Sequence, residues 1–562
     1  MARVIVADDS DVVAEAVISG LSECPGIDLC QRGPADSLDE LTAKVNDRGI
    51  DTVIYGPRWR PGKCATPDLG RAEAFLRCCA QSKVGHVVLL ASAAAYGCTH
   101  YNPGLISEMR PLRISSENPI AAAWIELERI ARSCLSDDTT VTILRLAPMP
   151  VPGGADYFSR LFTRGLAVSS PGYDPSIQIL SPFDLAGAAC CAVQKRRGGV
   201  FNVAPDTVIP LSAALRLTGA VRIPVPRGVQ RFVRGALAPA GLAQPISQVD
   251  YIRYSFAISN EKMKRDLGFM PARSSAEALV ELMCEAPAGL DAGNIAGLAY
   301  DPFGMDKEYI AAYARTLFKF LDRYYWRIEV DGIENVPRQG RVMLVGVHRG
   351  FMPWDGVMAL HLIVERIGRY PRFLTHPGLV KFPFLFDFVR RLGGVIACRE
   401  NADYLLERDE MVGMFPEGVQ GAFSLYRDAY RLGKFGRDEF VKMAIRNRTP
   451  MLPFVTVGSA EVFPILKKVE WNWWKRRMEW RCLPITPTFP LLPPLPLPSK
   501  WHTQFLPPIH IEERYSPEAA GDAKIVRAVS RDVRDRLQKA MDGMLARRKS
   551  YFHGSVFERD KT

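Results

Sequence analysis

Residues 342–356 read V-M-L-V-G-V-H-R-G-F-M-P-W-D-G, and they place His348 and Asp355 seven positions apart. On one continuous α-helix, that spacing would separate the two side chains by about 10 Å along the axis, which is too far for a hydrogen bond. Pro353 suits the first position of a helix, because a helix makes no use of the amide hydrogen there. A hydrogen bond between the two side chains therefore requires that His348 lies in a loop that folds back over the helical turn carrying Asp355.

A second motif, V-G-M-F-P-E-G-V-Q-G, spans residues 412–421 and joins a short apolar strand pattern to a Pro-Glu-Gly turn. A histidine that a carboxylate orients can remove a proton from a hydroxyl group. A turn carrying Glu417 and Gly418 can bind the compound that carries this hydroxyl group. We therefore predict that His348 and Asp355 form a general-base pair, and that the second motif binds its substrate.

Four blocks in this order resemble the phospholipid/glycerol acyltransferase family, which includes the lysophosphatidic acid acyltransferases. The blocks are V-M-L-V-G-V-H-R-G (342–350), G-G-V-I-A-C-R-E-N-A (393–402), V-G-M-F-P-E-G-V-Q-G (412–421) and T-P-M-L-P-F-V-T-V-G (449–458). The resemblance implies that His348 is the general base and that Asp355 is its orienting partner. It also implies that Arg399, Glu417 and Gly418 bind the glycerol or phosphate end of an acceptor.

The same resemblance implies direct attack of an acceptor hydroxyl on the thioester of acyl-CoA or of an acyl carrier protein. The donor is then a substrate, and no tightly bound cofactor is expected. The acceptor would be a glycerolipid hydroxyl, on a lysophospholipid, a glycerol phosphate or an acylglycerol. The family's usual acid follows the histidine by five residues, where this chain has a proline, and here the acid arrives two residues later.

The first half of the chain alternates short β-branched or apolar runs with helical stretches, which is the pattern of βαβ units on a parallel sheet. The runs cover residues 3–7, 52–55, 86–91 and 140–146. We therefore predict an α/β protein: an N-terminal Rossmann-like domain with a doubly wound parallel sheet, followed by an α/β domain of the glycerolipid acyltransferase type.

Residues 1–285 resemble the extended short-chain dehydrogenase or NAD-dependent epimerase family. The similar segments are V-V-L-L-A-S-A-A-A-Y-G (87–97), G-V-F-N-V-A-P (199–205) and I-S-N-E-K-M-K-R-D-L-G-F (258–269). That family uses a glycine-rich turn for the cofactor pyrophosphate and a Tyr-x-x-x-Lys pair for proton transfer. Here the turn carries Asp8, Asp9 and Asp11, and the resemblance places Ile120 and Trp124 at the tyrosine and lysine positions.

We therefore expect a degenerate epimerase-like domain, retained for folding, docking or regulation, in which NAD(P) binding is doubtful. An NAD(P)-dependent epimerase or reductase is the alternative function for this half. Residues 286–304 are rich in Gly, Ala and Pro and interrupt any helical pattern, so we predict a linker there. Residues 305–562 would then form the acyltransferase domain, with one helix over 305–326 and a long C-terminal helix beginning at Ser516.

The composition restricts the partners and the location of the chain. The formal net charge of +11 favours an anionic partner, which can be nucleic acid, a membrane surface or an acidic substrate. Twelve cysteines without a C-x-x-C pair predict neither a zinc site nor a disulfide framework, so we expect reduced thiols and an intracellular protein. The N-terminus lacks a signal-peptide pattern and no apolar run reaches about 18 residues, which predicts a cytoplasmic protein bound to membranes only peripherally.

Residues 471–480 read W-N-W-W-K-R-R-M-E-W and combine aromatic with basic side chains. Tryptophan favours the lipid headgroup layer and cations favour anionic lipid, so this segment predicts docking at a membrane surface. No nucleic-acid motif accompanies it, and we expect no nucleic-acid partner. A non-catalytic adaptor that binds lipid surfaces remains an alternative. The predicted membrane-contact residues are Trp471, Trp473, Trp474, Lys475, Arg476, Arg477 and Trp480.

Overall fold

The structure is a computed structural model of residues 1–562. It describes all of them except residues 1, 9–10, 31–41, 44, 46–48, 58–65, 114–117, 151–156, 164, 227–228, 230–249, 252, 284–297, 434, 436–437, 479, 481 and 558–562. Residue contacts divide the chain into two compact units, Met1–Gly304 and Met305–Thr562. Most of the predicted linker lies outside the described residues. Its last part belongs to the first unit, where Tyr300 pairs with Val208.

The first unit is built on a parallel six-stranded sheet of order β2-β1-β3-β4-β5-β8. Its strands are β1 (Ala2–Asp8), β2 (Ile27–Leu29), β3 (Thr52–Gly56), β4 (His86–Ser92), β5 (Thr140–Leu146) and β8 (Gly199–Val203). Short pairs outside this sheet are β6 (Leu166–Ser169) with β10 (Val221–Pro224), and β7 (Ser176–Ile177) with β9 (Ile209–Pro210).

Helices cover both faces of this sheet. They are α1 (Asp11–Ser22), α2 (Leu69–Gln81), α3 (Pro119–Cys134), α4 (Tyr157–Thr163), α5 (Pro182–Lys195), α6 (Leu211–Leu217), α7 (Glu261–Leu267) and α8 (Ser275–Met283). Successive residues of β1 enter different cores: Val4 packs in the cluster with α1 and α5, and Ile5 packs in the cluster with α2 and α3. Both faces of the strand are therefore buried, and the doubly wound parallel sheet predicted from the sequence is confirmed.

The positions that the epimerase resemblance aligned with Tyr and Lys belong to the apolar core. Ile120 and Trp124 both lie on α3 and are 4% and 2% exposed. On the same helix, Glu128 forms a buried two-pronged ion pair with Arg145 of β5, with N–O distances of 2.7 and 2.8 Å. The side chains of Asp8, Asp9 and Asp11 lie outside the described part of the chain. In the backbone, β1 ends at Asp8 and α1 begins at Asp11.

The prediction that all cysteines are reduced is wrong for one pair. Cys24 and Cys190 form a disulfide across 166 residues of sequence. Cys24 follows α1 and Cys190 lies on α5, two helices that pack together on one face of the sheet. Sequence spacing gives no sign of this bridge, because only the packing of these two helices brings the thiols together.

The second unit is built on a seven-stranded sheet of order β11-β19-β16-β12-β15-β13-β14. Its pairings are parallel except for β16 with β19. The strands are β11 (Glu329–Asp331), β12 (Val342–Gly346), β13 (Arg372–Thr375), β14 (Val395–Ile396), β15 (Met411–Met414), β16 (Met451–Val457) and β19 (His502–Phe505), with β17 (Lys467–Val469) and β18 (Leu483–Ile485) forming a separate pair.

The central strand β12 is buried along its whole length and lies between β15 and β16. The carboxyl ends of parallel neighbours meet at one edge of a sheet, so the loops after β12 and β15 are brought together there. The helices around this sheet are α9 (Lys307–Tyr313), α10 (Trp354–Ile367), α11 (Pro383–Arg391), α12 (Arg399–Glu407), α13 (Gly418–Ala422), α14 (Glu439–Arg446), α15 (Asn472–Met478) and α16 (Ala523–Arg547).

The first helical segment of this unit differs from the regular helix predicted over 305–326. After α9 the chain forms two π-helical turns, Ala314–Phe318 and Leu321–Tyr325. A π turn adds a residue to the helical repeat and shifts the buried face. Phe318 is consequently buried, whereas Leu317 and Tyr324 are 38% and 68% exposed.

The C-terminal helix α16 begins at Ala523 and is capped by Asp522 rather than beginning at Ser516. The residues from Pro517 to Gly521 instead form a separate 3₁₀ helix. Helix α16 buries one apolar face, formed by Val526, Val529, Val533, Leu537, Met541 and Met544.

His86 provides a test of the first unit's core. Its Nε2 lies 2.9 Å from Thr142 Oγ1, and Thr142 donates its own hydrogen to the Arg197 carbonyl, so Nε2 carries the hydrogen of a neutral imidazole. Burial and the charge of Arg196 lower the pKa of His86 from 6.5 to about 4. The unfolded chain therefore binds a proton at higher pH than the folded chain, and stability present above pH 6.5 is lost as the pH falls towards 4.

Between pH 6.5 and about pH 5, we expect this group to lower the opening free energy of β4 by about 2 kcal/mol. Hydrogen-exchange mass spectrometry of peptides covering β4 measures it, with His86→Gln as the control that removes the titrating group. Equal pH dependence in the two proteins would contradict the assignment.

Candidate active site at the ends of the central strands

The loop after β12 turns back on itself and brings His348 to Asp355. Gly350 in this loop has φ +76°, a left-handed conformation that glycine adopts without strain. Helix α10 begins at Trp354, one residue later than predicted, with Pro353 at the capping position. His348 Nδ1 lies 2.9 Å from Asp355 Oδ2, so the reversal expected from the seven-residue spacing is present.

Asp355 is 1% exposed and lies in the first turn of α10, where the helix dipole stabilises a negative charge. Its Oδ2 also accepts a 2.8 Å hydrogen bond from the backbone N–H of Arg349. Because a carboxylate oxygen only accepts, the hydrogen-bond network assigns the hydrogen to Nδ1 of His348 and leaves the lone pair on Nε2. His348 lines a groove, so this nitrogen is placed to receive a proton from a bound hydroxyl.

The carboxylate of Glu417 forms an ion pair and a hydrogen bond within the protein. Oε2 lies 2.7 Å from Nη1 of Arg349, in an ion pair whose side chains are 1% and 7% exposed. Oε1 accepts a 3.0 Å hydrogen bond from Gly433 N. Glu417 also lines the groove, and Arg349 and Gly433 hold its carboxylate in place there.

Helix α16 holds the loop that completes this arrangement. Gln538 donates to the Tyr430 carbonyl over 3.0 Å and accepts from Leu432 N over 2.8 Å. The adjoining Ala429 carbonyl accepts a hydrogen bond from Arg349 Nε. Burial, and then the nearby Glu461 carboxylate, raise the pKa of Tyr430 well above its usual value. The phenol therefore keeps its hydrogen and donates it to Glu461 Oε2 over 2.6 Å.

The groove beside His348 has a volume of about 790 Å³, within the usual range for small-molecule sites. Its wall is largely apolar and includes Phe351, Val357, Leu360, Phe373, Leu379, Val389, Leu392, Phe440 and Met443. Arg399 and Gly418 line it too, as predicted for acceptor-binding residues. Arg399 begins α12, is 60% exposed and pairs with Asp403 at 3.2 Å. The structure thus brings His348, Arg399, Glu417 and Gly418 to one groove, and Asp355 is hydrogen-bonded to His348 beneath its surface.

The predicted membrane-contact segment divides into exposed and buried parts. Trp471 and Trp473 are 49% and 51% exposed, and Lys475 and Arg476 are exposed on α15. Trp474 is half-buried, and the side chain of Arg477 lies outside the described part of the structure. The prediction for Trp480 is wrong. It is 8% exposed and its ring packs against aromatic side chains of the core, Phe351, Phe382 and Phe423.

Sequence reasoning missed Arg349 and the groove-facing role of Trp480. Arg349 directly follows His348 in an otherwise apolar and glycine-rich stretch, and a cation in that setting signals a buried partner. Trp480 carried no such signal, because it closes a segment in which tryptophans alternate with basic residues. Among the described residues, no helix is both long and apolar enough to span a bilayer.

Comparison with known proteins identifies a family domain within the second unit. Residues 327–457 match the family model described as Acyltransferase, which covers β12, the His348 loop and the Pro-Glu-Gly turn. This part of the chain is therefore an acyltransferase domain, and the protein is an enzyme of the acyltransferase class.

Two mycobacterial proteins are similar to part of this chain. An uncharacterized protein of Mycobacterium tuberculosis is 34% identical over 259 residues, which cover 45% of this chain and 72% of that protein. An uncharacterized protein of Mycobacterium leprae is 33% identical over 298 residues, 50% of this chain and 80% of that protein. The chain belongs to the family of these mycobacterial proteins. Phytyl ester synthase 2 of Arabidopsis thaliana is 30% identical over 144 residues, 24% of this chain and 20% of that protein.

Solved structures similar to this chain include members of the epimerase family. The human epimerase family protein SDR39U1, solved with NADPH, is 18% identical, covers 50% of this chain and 100% of its own, and has a TM-score of 0.40. UDP-N-acetylglucosamine 4-epimerase of Bacillus cereus is 13% identical, covers 50% of this chain and 98% of its own, and has a TM-score of 0.37. The Rossmann-like fold of the first unit rests on its own strand order and on its two-sided burial.

The buried pair of Arg349 and Glu417 predicts a large stability effect. Glu417→Gln leaves the guanidinium buried without a counter-charge, and we expect it to lower the free energy of unfolding of the second unit by about 3 kcal/mol. Chemical unfolding followed by tryptophan fluorescence measures this, since most of the tryptophans lie in that unit. Glu407→Gln, at an exposed position of α12, is the matched control. Unchanged unfolding of Glu417→Gln would show that the pair is energetically unimportant.

Proposed function

We propose that this enzyme transfers a fatty acyl group from acyl-CoA or acyl carrier protein to the hydroxyl group of a glycerolipid. The observation that carries the proposal is the hydrogen bond of 2.9 Å between His348 Nδ1 and the buried carboxylate of Asp355, at the edge of a groove with an apolar wall. An imidazole held in this tautomer accepts the hydroxyl proton at Nε2. Asp355 stabilises the imidazolium that results.

The reaction needs no covalent acyl-enzyme. The acceptor oxygen forms a bond to the thioester carbonyl carbon while His348 takes its proton, and the carbon–sulfur bond then breaks. The thiolate leaving group receives the proton from the imidazolium, which restores the neutral histidine. The apolar wall supports binding of the acyl chain, because burying each methylene group contributes about 0.8 kcal/mol.

The charges of the groove favour a neutral acceptor over a phosphorylated one. Arg399 is the only arginine or lysine among the described residues that line it, and Asp403 already pairs with this guanidinium. The carboxylates of Glu417 and Glu439 line the same groove and would repel a phosphate group. The name of the Arabidopsis relative, a phytyl ester synthase, agrees with esterification of an alcohol. Acylglycerols are therefore the acceptors we favour.

A panel of acceptors with radiolabelled acyl-CoA tests this function, comparing lysophospholipid, glycerol phosphate, monoacylglycerol and diacylglycerol. We expect His348→Ala to lower the rate by about 10²–10⁴-fold, since that is the usual contribution of a general base. Asp355→Asn should also lower kcat, because it destabilises the required tautomer. His510→Ala, at a histidine 47% exposed in its side chain, is the control and should keep full activity.

Full activity of His348→Ala would refute the assigned base. If no acceptor is acylated while a control acyltransferase works in the same assay, the proposed acceptor class is wrong. Turnover of glycerol phosphate in preference to acylglycerols would refute only the preference for neutral acceptors.

We further propose that the face carrying Trp471 and Trp473 docks on an anionic membrane surface. Both indoles are about half exposed, and Lys467, Lys468 and Lys475 near them in sequence are exposed as well. Indole rings partition into the headgroup layer, and each lysine near an anionic surface contributes about 1 kcal/mol. Docking there would give the enzyme access to acceptors and donors that reside in the bilayer.

Liposome flotation tests the docking face. We expect the double variant Trp471→Ala/Trp473→Ala to bind vesicles containing anionic lipid at least about tenfold more weakly, because it loses apolar area at the interface. Phe183→Ala, which removes an exposed aromatic ring of the first unit, should bind as the wild type does. Equal flotation of all three proteins would refute this docking face.

A further inference from the structure

His361 is a buried histidine that takes no part in the candidate active site. It lies on α10, two turns beyond Asp355, and is 2% exposed. Neither of its ring nitrogens has a hydrogen-bond partner among the described residues. An imidazole always carries at least one N–H group, so a buried ring with two unpaired nitrogens forgoes hydrogen bonds that water would supply in the unfolded chain.

Two carboxylates converge on the same ring nitrogen. His361 Nε2 lies 3.7 Å from Asp322 Oδ2 and 3.8 Å from Glu365 Oε2. Both distances are too long for a hydrogen bond. All three ligand atoms lie within 4.8 Å of one another. Asp322 is itself 6% exposed, and no described residue donates a hydrogen bond to its side chain. The three side chains thus face a common point without contacting each other.

These distances match those between two ligands of one metal ion. Zinc binds imidazole nitrogen at about 2.0–2.1 Å and carboxylate oxygen at about 2.0–2.2 Å, so two ligands of one ion stand roughly 3.4–3.7 Å apart at angles from tetrahedral to trigonal. A slight inward movement of the side chains would complete the coordination. His361 and Glu365 are four residues apart on one helix, which places both on the same face.

We propose that Asp322, His361 and Glu365 bind a divalent first-row transition metal ion, with one nitrogen and two oxygen ligands from the protein. Imidazole mixed with carboxylate is a donor set that suits such ions better than Ca²⁺ or Mg²⁺. A surface cleft lined by Asp322 and Glu365 adjoins the site and admits water as a further ligand.

The neighbouring charges are compatible with this assignment. Arg323, Arg327 and Arg366 line the adjoining cleft. Arg323 pairs with Glu365 through Oε1 at 3.2 Å, which leaves Oε2 turned towards His361. The two carboxylates offset the charge of a divalent ion, and the arginines lie on the solvent side. The ion would join the π-helical turn Leu321–Tyr325 to α10, so its role is structural.

Metal binding by the purified full-length protein tests the proposal without reference to catalysis. After treatment with a chelator and its removal, isothermal titration with ZnCl₂ should show one site per chain that raises the melting temperature. Glu365→Gln, at a side chain 36% exposed, should keep the fold and weaken zinc binding by at least about tenfold. Asp322→Asn should do the same. Cobalt substitution should give ligand-field bands without a thiolate charge-transfer band, since no cysteine belongs to the site.

The matched control is His510→Ala. His510, Glu512 and Glu513 form another cluster of metal-ligating side chains, but its histidine side chain is 47% exposed. Zinc affinity and the thermal shift should be unchanged in this variant. The proposal is overturned if the wild type binds no zinc, if Glu365→Gln and Asp322→Asn bind as tightly as the wild type, or if only His510→Ala loses binding.

Discussion

The carboxylate of Asp355 is the group around which the second unit's site is arranged. One oxygen accepts from the His348 ring and from the Arg349 backbone, so it fixes the tautomer of the first residue and the direction of the second. With its backbone held, Arg349 extends its guanidinium to Glu417 after β15. A buried charge of this kind is costly unless it is hydrogen-bonded, and the loop after β12 supplies two donors to Oδ2. The ends of two neighbouring strands are thereby locked in one geometry.

Much of this could be predicted from the sequence, because the determining signals are local. Alternating apolar runs predicted the parallel sheet of the first unit, and four short blocks predicted the acyltransferase domain. The predicted pairing of His348 with Asp355 required a reversed loop, since a continuous helix would have held the two groups apart. Arg399 and Gly418 also line the groove, as the order of the blocks implied. Local sequence patterns, together with the resemblance to the acyltransferase family, were sufficient for these features.

The remaining features depend on contacts between residues that are distant in sequence. Nothing in a local pattern pairs Cys24 with Cys190, or turns Trp480 inward while Trp471 and Trp473, a few residues earlier, face out. The π-helical turns near Phe318 altered which side chains are buried, and a 3.6-residue period cannot anticipate such an insertion. The pairing of Glu417 with Arg349 likewise becomes apparent only when the two strand ends are adjacent.

The two hydrogen bonds of Gln538 have a consequence for how the enzyme is made. The loop that contacts Arg349 and Glu417 is held by a side chain of α16, whereas His348 and Asp355 are synthesised much earlier. Domains tend to fold as units once their sequence has left the ribosome. A nascent chain therefore cannot hold the surrounding loop in this way until α16 has emerged. Translation itself thus withholds the finished site until this helix has been synthesised.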